Sequence, residues 1–443
     1  MDDIEKAYNL ALDYLYSFVD YSLKHVSELA KADFNLDRMF ALMDALGNPQ
    51  ETYPILHVAG TKGKGSTCAL CASALQAAGY KVGLYISPHL FDYTERIQIN
   101  DQPISHAELV ALVEQVKPYV ARIPRLTTFE ITTALGFLAF AERGVDVAVV
   151  EVGLGGRLDA TNVVRPRVAV ITSLSMDHMA VLGDTLAKIA GEKAGIIKPG
   201  VPLVSAPQKE EALEVLKRVA AERDAPMTLV GREVRFEVLD SSLEGQVVLL
   251  RDEVQQTALE VRLPLLGDHQ AINAAVAYAA LQAGGFHLGP QPIQSGFARV
   301  KWPARFEIAR REPPVIFDSA HNDESFARLR ATLEQHFPGR PVILIFGASE
   351  DKNIPGMLRE IKPKIRRVIL TCADHPRALG VEKLQEFAEQ AGVPYESVTP
   401  VEAALARALD LVAEDGSIVL SAGSMFVTAE AMTAWKKVSQ LGK

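Results

Sequence analysis

Residues 55–67 read Ile-Leu-His-Val-Ala-Gly-Thr-Lys-Gly-Lys-Gly-Ser-Thr, a short apolar run followed by a loop of glycine, lysine and hydroxyl residues. The apolar run predicts a buried strand. The small residues of 67–78 predict a helix that ends at Gly79. A strand, a glycine loop and a helix in this order form the setting in which backbone N–H groups and a helix dipole bind phosphate. The stretch therefore predicts a nucleotide phosphate site.

The loop departs from the strict P-loop pattern. The first glycine of that pattern would fall at Val58, and Gly65 separates Lys64 from Ser66. A glycine turn with solvent-facing lysines is the alternative, but four glycine or lysine residues in succession between a strand and a helix favour phosphate binding. The residues predicted to bind the phosphates are Gly60, Thr61, Lys62, Gly63, Lys64, Gly65 and Ser66.

The rest of the first 300 residues alternates between apolar β-branched runs and helical patterns. Runs at 145–152 and 168–172 predict strands buried on both faces of a parallel sheet, and 81–86 predicts another strand. Between 232 and 263 the pattern changes to short alternating runs, which predict a small antiparallel section packed on the main sheet. Helices are predicted at 3–31, 35–46, 67–78, 185–197, 209–223 and 269–283.

A second α/β unit of about 140 residues follows, a common size for a single domain. Its predicted strands and helices alternate, with strands at 315–317, 342–346, 368–371 and 418–421 and helices at 323–337, 380–391, 400–413 and 425–437. The predicted fold is α/β, with a P-loop NTPase-like first domain and a smaller Rossmann-like second domain. The predicted boundaries are 1–297, a linker at 298–303, and 304–443.

Composition excludes several classes of function. The 443 residues are 48% hydrophobic and 23% charged, as in an ordinary folded protein, and the net charge of -9 argues against binding to a nucleic-acid backbone. No apolar run approaches the roughly 20 residues that span a bilayer, and the N-terminus lacks the pattern of a signal peptide. The sparse cysteines, Cys68, Cys71 and Cys372, fit a reducing compartment, so we expect a cytoplasmic protein. No pattern in the sequence reads as a coiled coil or a large exposed apolar stripe, so we expect a monomer.

The sequence resembles folylpolyglutamate synthase and dihydrofolate synthase, members of the Mur ligase superfamily. The resemblance rests on the loop in its strand and helix setting and on Glu151-Val-Gly-Leu-Gly-Gly-Arg-Leu-Asp-Ala-Thr-Asn162. Other motifs follow in the order of the family from about residue 35 to residue 425, at 46–50, 87–90, 93–96, 177–178, 192–196, 269–273, 302–305 and 318–322. These motifs together span nearly the whole chain, and their order is specific to this family.

The resemblance implies an ATP- and Mg²⁺-dependent amide ligase. A substrate carboxylate would attack the γ-phosphate of ATP to give an acyl phosphate, and the amino group of L-glutamate would then displace phosphate. The acceptor would be dihydropteroate, a reduced folate such as tetrahydrofolate, or both. Two alternatives stay open: a Mur-type ligase with a non-folate carboxylate acceptor, and a nucleotide-binding ATPase module without ligase activity.

The resemblance also implies the metal ligands and a modified lysine. Mg²⁺ would be held by Ser87, Glu151 and His178, and Glu151 also follows an apolar strand at the edge where open α/β sheets bind ligands. Lys193 would react with CO₂ to form a carbamate. From the residues alone, we expect Lys193 to be a helix lysine on a solvated face. Lys64, Lys193 and His321 are the expected catalytic residues.

Other positions match family residues that contact substrates. Asn273, Arg305 and Asp318 would contact ATP, and His321 and Ser424 would lie near the incoming glutamate. The segment that contains Phe129 and Glu130 resembles part of the wall on the pterin side. A helix N-terminus capped by threonine explains that segment equally well.

Two departures from the family pattern affect the site. Lys62 stands where asparagine is common, and residues 318–323 read Asp-Ser-Ala-His-Asn-Asp without the usual glycine and proline, so the local turn is left open. We expect Cys68 and Cys71 to be buried thiols inside a helix rather than a redox pair. The basic residues 362–367 are expected to be a solvated helix end, with nucleic-acid binding as the alternative.

Overall fold

The computed structural model describes residues 3–20 and 34–441. The chain divides into two compact units. The first unit comprises Met1–Asp240, Gln246–Pro264 and His269–Lys301, and the second comprises Ser241–Gly245, Leu265–Asp268 and Trp302–Lys443. In the part of the chain that is described, no helix is both long and apolar enough to cross a membrane.

The first unit is built on an eight-stranded sheet with the strand order β4-β3-β2-β5-β1-β6-β7-β8. The strands β2, β5, β1, β6, β7 and β8 run parallel, whereas β3 and β4 are antiparallel additions at one edge. Every residue of β1, β2, β5 and β6 is buried, as the β-branched runs predict. The strands are β1 (Ile55–Ala59), β2 (Val82–Tyr85), β3 (Ile97–Ile99), β4 (Gln102–Pro103), β5 (Val147–Glu151), β6 (Val168–Ile171), β7 (Leu203–Ser205) and β8 (Met227–Leu229).

Helices and 3₁₀ turns connect these strands. The α-helices are α1 (Asp3–Tyr16), α2 (Asp37–Ala45), α3 (Lys64–Ala77), α4 (His106–Val120), α5 (Thr128–Glu142), α6 (Met179–Leu182), α7 (Leu186–Ala194), α8 (Glu210–Glu222), α9 (Asp268–Ala283) and α10 (Pro290–Arg299). The 3₁₀ helices are Pro49–Glu51, Tyr93–Arg96 and Ala160–Val163.

Several helix boundaries differ from the prediction, including the following two in the first unit. The predicted helix at 3–31 ends at Tyr16, and its portion from 21 to 31 lies outside the described residues. The helix expected from 67 begins three residues earlier at Lys64, because Gly63 caps it with a left-handed backbone. Buried Cys68 and Cys71 lie inside this helix as free thiols, as expected.

The predicted antiparallel section is a three-stranded sheet with the order β11-β10-β9. Its strands are β9 (Val234–Ser242), β10 (Gly245–Asp252) and β11 (Thr257–Leu263). Alternate residues of β10 are buried, as expected when one face of a sheet is covered. Strand β11 packs on α10, and α10 packs closely on α3, where a Cβ at Gly296 would lie 2.5 Å from the Ala74 Cα.

The second unit has a six-stranded sheet with the order β12-β13-β17-β14-β15-β16, in which only the β12–β13 pair is antiparallel. Its strands are β12 (Glu307–Arg311), β13 (Pro314–Phe317), β14 (Val342–Phe346), β15 (Ile365–Leu370), β16 (Tyr395–Ser397) and β17 (Ile418–Ala422). Its helices are α11 (Asp323–His336), α12 (Ile354–Ile361), α13 (Val381–Ala391), α14 (Val401–Asp415) and α15 (Met425–Leu441), with a 3₁₀ turn at Lys362–Lys364. The α/β fold class is confirmed.

Three elements of the second unit were not predicted: β12, β16 and α12. The strand β12 is polar and half-exposed, and β16 has only three residues, so neither gives an apolar run. The basic residues 362–367 are a helix end only in part. Lys362 is the C-cap residue of α12 and begins the 3₁₀ turn, as expected of a helix end, whereas Ile365, Arg366 and Arg367 are the first residues of β15.

The side chain of His106 joins three elements of the first unit. Its Nδ1 lies 2.7 Å from a carboxylate oxygen of Glu5 in α1, and its Nε2 lies 3.0 Å from Asp92, which caps the 3₁₀ helix Tyr93–Arg96. The ring stacks on Tyr8 with 3.7 Å between centroids. Partial burial alone would lower the pKa of His106, but the hydrogen bonds that its ring donates to both carboxylates outweigh this effect and raise the pKa.

We expect His106→Gln to lower the Tm by about 1–3 °C at pH 6, since each of its two ion pairs contributes up to about 1 kcal/mol. Because the pKa of the folded state is raised, this stabilisation is complete below the ordinary histidine pKa of about 6.5 and is lost as the pH rises through the raised pKa. Thermal unfolding at pH 6 and pH 9 measures the difference. His287→Asn, at an exposed histidine, is the control. An equal deficit of His106→Gln at both pH values would contradict this role.

Candidate active site

The loop after β1 is shaped by two glycines that approach neighbouring side chains. Gly60 has a φ of 151°, and a Cβ there would lie 1.8 Å from the Thr172 hydroxyl oxygen. Gly63 has a φ of 90°, and a Cβ there would lie 2.2 Å from the amide oxygen of Asn273. The loop therefore requires glycine at both positions, and it brings Asn273 of α9 against the start of α3.

The backbone amides of the loop divide into two groups. The amides of Thr61 and Lys62 donate to the carbonyl oxygen of Ser173 at 3.0 Å and so hold the loop against the segment that follows β6. The first intrahelical bond of α3 runs from the Thr67 amide to the Gly63 carbonyl. The N–H groups of the first helical turn therefore have no partner within the helix, and they coincide with the positive end of its dipole. This turn is the part of the loop that suits an anion.

Lys64 and Glu151 face each other at the carboxyl edge of the sheet. The Lys64 Nζ lies 3.8 Å from Glu151 Oε1, and the exposed fractions of the two side chains are 18% and 8%. Strands β2 and β5 pair in parallel with Tyr85 opposite Val150, so the chain leaves β2 beside Glu151. The Ser87 backbone N–H accordingly donates to Glu151 Oε2 at 3.4 Å. The structure thus brings together Ser87, Glu151 and Lys64.

His178, the third expected metal ligand, is exposed and begins the short helix α6 with a φ of 49°. Its Nε2 lies 4.0 Å from Asp177 Oδ1. The other carboxylate oxygen of Asp177 lies 3.1 Å from Lys62 Nζ. Within residues 3–20 and 34–441, no group of three or more His, Cys, Asp or Glu side chains is arranged to hold a metal ion.

Lys193 is buried in α7, contrary to the solvated position expected from the residues alone. The segment after β5 covers it, since a Cβ at Gly156 would lie 3.1 Å from the Lys193 Cα. Burial, and after it the charge of Lys64, lowers the pKa of Lys193 to about 7, although Asp177 and Asp159 oppose the shift. The charges of Lys64, Asp177 and Asp159 therefore act on the Lys193 amine.

Asp159 is a buried carboxylate that the sequence reasoning did not select. Its Oδ1 accepts from the Thr161 amide at 3.0 Å, and its Oδ2 accepts from the Leu154 amide at 2.8 Å. Burial raises its pKa against these hydrogen bonds. Asp177 was also missed, although it directly precedes His178 in a family-like motif. Both residues could have been found from the sequence. Asp159 lies in the same motif as Glu151, and Asp177 directly precedes His178, so each is a carboxylate beside a predicted metal ligand.

In the second unit, Arg305 and Asp318 lie in connected turns. Asp318 Oδ2 accepts from the Phe306 amide at 2.8 Å, and Oδ1 accepts from the Ala320 amide at 2.7 Å. Burial raises the pKa of Asp318 even though Arg305 and these two amides oppose the shift. Arg305 Nη1 donates to the Ala304 carbonyl at 2.9 Å and to the Ser319 hydroxyl.

The turn at 318–323 closes without the glycine and proline of the family pattern. The Ser319 hydroxyl donates to the Ala304 carbonyl at 3.0 Å, and Asn322 caps α11 by accepting from the Ser325 amide at 3.0 Å. His321 Nδ1 lies 2.9 Å from the Ser319 carbonyl oxygen, to which it donates. Ser319, which stands in place of the glycine, therefore supplies one of the hydrogen bonds that hold the turn, and Asn322 and His321 supply the others.

Ser424 follows β17 at the same sheet edge as the 318–321 turn. Strands β13 and β17 pair with Phe317 opposite Ser421, and the Gly423 amide donates to the Ala320 carbonyl at 2.8 Å. Ser424 is buried, and its hydroxyl accepts from the Phe426 amide at 3.2 Å.

Glu130 has a structural role in the described residues. It forms a capping box with Thr127 at the start of α5 and accepts from Arg38 Nε at 3.2 Å. Phe129 packs on the chain after β5, where a Cβ at Gly153 would lie 2.5 Å from its ring. The capping explanation accounts for Glu130, and contact of Phe129 or Glu130 with a pterin stays a prediction.

Comparison with known proteins places both units in one family. Residues 58–281 match the Mur ligase middle domain, and residues 304–425 match the Mur ligase, glutamate ligase domain. The chain is 39% identical over 364 residues to a dihydrofolate synthase/folylpolyglutamate synthase of Bacillus subtilis, covering 80% of this chain and 84% of the relative.

Solved structures agree. A Mycobacterium tuberculosis folylpolyglutamate synthase complexed with ADP superposes with a TM-score of 0.88 at 35% identity, covering 97% of this chain and 98% of the other. The Escherichia coli FolC in complex with DHPP and ADP gives a TM-score of 0.83 at 31% identity, covering 95% and 100%. The chain belongs to the dihydrofolate synthase/folylpolyglutamate synthase family of Mur ligases, which are ATP-dependent ligases.

Proposed function

We propose that the protein uses ATP to join L-glutamate to the carboxylate of a pterin or folate, with dihydropteroate or tetrahydrofolate as the acceptor. The observation that carries this proposal is the pairing of Lys64, in the first turn of α3, with buried Glu151 at the sheet edge. Relatives support the acceptor class, since one was solved with DHPP and ADP.

The chemistry takes place in two steps. A carboxylate oxygen of the acceptor attacks the γ-phosphorus of ATP, the bond to the bridging oxygen breaks, and ADP leaves. The neutral amine of glutamate then attacks the acyl carbon, and phosphate leaves with the oxygen that came from the acceptor. One proton passes from the nitrogen to the departing phosphate or to water as the amide forms. Catalysis of the first step depends on positioning and on neutralising charge at the transferring oxygens.

The loop supplies that neutralisation. The free N–H groups at the start of α3 would hold phosphate oxygens, and the Lys64 ammonium would move from Glu151 to the β- and γ-phosphates. Asn273, which touches Gly63, would orient the nucleotide at the loop. Within the second unit, we assign Arg305 and Asp318 to the nucleotide and place His321 and Ser424 near glutamate, with residues 298–303 as the linker.

The residues at the sheet edge fit Mg²⁺. Glu151 is a buried carboxylate whose Oε1 faces an ammonium at 3.8 Å, a position in which a cation is already favoured. Mg²⁺ is usually bound by one or two carboxylates together with phosphate oxygens and water, so a large protein cluster is not required. Glu151, with Ser87 and His178, would hold the ion, which would neutralise charge on the β- and γ-phosphates.

Lys193 suits the carbamate proposed for it. The reaction joins the neutral amine to CO₂ and releases one proton, so it requires the unprotonated amine. Burial lowers the pKa of Lys193 to about 7, which makes that form abundant at neutral pH. The product is an anion in a region that contains the cations Lys62 and Lys64. We also propose that the protein is cytoplasmic, in keeping with the free thiols of Cys68, Cys71 and Cys372, and that it is a monomer.

Release of ADP tests the proposed function. We expect slow release with ATP alone or with ATP and glutamate, and rapid release once dihydropteroate or tetrahydrofolate is added. Running the two acceptors separately distinguishes the first glutamate addition from chain extension. Equal hydrolysis in every mixture would contradict ligation, and turnover only with a non-pterin carboxylate would contradict the acceptor.

We expect Lys64→Ala to reduce ligase turnover at least about a hundredfold, the size of effect seen when one preorganised transition-state donor is removed. Steady-state release of ADP in the complete mixture measures this. Lys188→Ala, at an exposed lysine that pairs with Asp184 in the same unit, is the matched control and should retain full turnover. Thermal unfolding verifies that both variants fold. Loss of less than tenfold in a folded Lys64→Ala would contradict the assigned role.

We expect ¹³CO₂ to label Lys193, with the carbamate signal rising as the pH is raised through about 7 at constant dissolved CO₂. NMR of the labelled protein measures the signal, which Lys193→Ala should abolish along with activity. Added short carboxylic acids should restore part of the activity. Lys198→Arg is the matched control, because Lys198 also has a lowered pKa but donates to the Asn162 carbonyl at 2.9 Å.

Full activity of Lys193→Ala would remove the catalytic role of this lysine. A ¹³C signal that persists in Lys193→Ala and disappears in Lys198→Arg would show that the carbamate forms on Lys198 and would contradict the assignment to Lys193. Either result would leave the assignments of Lys64 and Glu151 unaffected.

A further inference from the structure

Arg96 ends the 3₁₀ helix Tyr93–Arg96 of the first unit, and its side chain is only 9% exposed. Its Nε donates to His89 Nδ1 at 3.0 Å, and its Cζ lies 4.9 Å from the centroid of the Tyr93 ring. Within residues 3–20 and 34–441, the two terminal NH₂ groups donate no hydrogen bond. The guanidinium group is therefore held at Nε and keeps donors for a ligand.

No carboxylate in the described ranges forms an ion pair with Arg96. The two carboxylates closest to it in sequence have other partners. Asp92 Oδ2 lies 3.0 Å from His106 Nε2, and Glu95 accepts from the backbone amides of residues 90–92 at 2.7–3.0 Å. Both acids of this segment are thus engaged away from the guanidinium group.

The other neighbours of Arg96 leave its charge in place. Burial, and after it the charge of Arg96, lowers the pKa of His89 to about 4, so His89 is neutral at pH 7. The charges of Asp20 and Arg96 act in opposite directions on the pKa of Tyr93, but the two residues form no ion pair. A buried charge without a partner is costly, so an arginine in this position indicates an anionic ligand.

Arg96 lies at the carboxyl end of β2, next to a residue assigned to the metal. The Ile86 amide donates to the Arg96 carbonyl at 3.1 Å. The following residue is Ser87, whose amide donates to Glu151 Oε2 at 3.4 Å. The guanidinium group itself contacts His89, two residues after Ser87. An anion bound by Arg96 would therefore lie at the sheet edge where phosphoryl transfer is proposed.

Aromatic rings lie beside this cation. The Tyr93 ring packs edge-on against Tyr16 with 5.8 Å between centroids. The charge of Arg96 also acts on the buried Tyr85 hydroxyl, and the Tyr85 ring lies 6.4 Å from that of Phe129. A cation among aromatic rings suits a carboxylate that is carried on an aromatic group.

Given the proposed ligation, on which this step rests, we propose that the terminal NH₂ groups of Arg96 bind the reacting carboxylate of the acceptor. The planar fork of a guanidinium group matches the two oxygens of a carboxylate. Such binding holds the carboxylate in one orientation before it attacks the γ-phosphorus. His89 fixes the fork through Nε.

Isothermal titration with dihydropteroate and with its uncharged primary amide, at saturating ADP, tests the proposal. We expect the wild type to bind the carboxylate at least about tenfold more tightly than the amide, because the amide lacks the charge-assisted bonds. Arg96→Gln should weaken binding of the carboxylate by a similar factor and leave binding of the amide unchanged. Arg223→Gln, at a partly buried arginine of the same unit that donates to the Ile197 carbonyl at 2.8 Å, is the matched control and should keep the preference.

Equal binding of the two ligands by the wild type, or an unchanged preference in Arg96→Gln, would overturn the proposal. Equal weakening of both ligands in Arg96→Gln would give Arg96 a structural role and would also overturn it. Release of ADP separates this result from the proposed function. Lack of acceptor-dependent release in the wild type would contradict ligation itself, whereas an unchanged KM for the acceptor in Arg96→Gln would contradict only the role of Arg96.

The comparison of the two ligands in the wild type needs no variant. Should Arg96→Gln fail to fold, Arg96→Lys is the second variant, since it retains the charge without the planar fork. We expect Arg96→Lys to weaken binding of dihydropteroate about threefold or more. Undiminished binding in a folded Arg96→Lys would overturn the two-bond contact.

Discussion

The Lys64 ammonium and the Glu151 carboxylate lie 3.8 Å apart at the carboxyl edge of the first sheet, both largely shielded from water. Each would be costly to bury without the other, so each compensates the charge of the other beside the loop. The lysine ammonium can bind a nucleotide phosphate, and the carboxylate can bind a hard cation. The same interaction thus places a cation and an anion side by side at the loop, where each can bind a ligand group of opposite charge.

The parallel register of the sheet puts the remaining charges within reach of this pair. Loops that follow β1, β2, β5 and β6 emerge at one edge, which explains why Lys62 meets Asp177 and why the Ser87 amide meets Glu151. Lys193 adds a third amine to the region. Because its pKa is lowered, Lys193 carries less positive charge and repels the other two lysines less. A carbamate on Lys193 would be an anion and would turn this repulsion into attraction.

The sequence was informative where a signal was local. The strands β1, β5 and β6 were predicted within two residues because buried parallel strands are uninterrupted apolar runs. The burial of Lys193 could not be predicted, because it depends on packing of the chain near Gly156. The bulge in β15 at Arg366 and the hydrogen bonds that close the 318–323 turn depend on partners distant in sequence.

We propose that phosphoryl transfer at the loop activates the acceptor carboxylate. Mass spectrometry of the phosphate released from an acceptor with an ¹⁸O-labelled carboxylate tests this activation. In an acyl phosphate route, the oxygen that attacks the γ-phosphorus leaves with the phosphate when glutamate displaces it. We expect one ¹⁸O atom in each phosphate released during ligation. Amide product formed together with unlabelled phosphate would contradict the account.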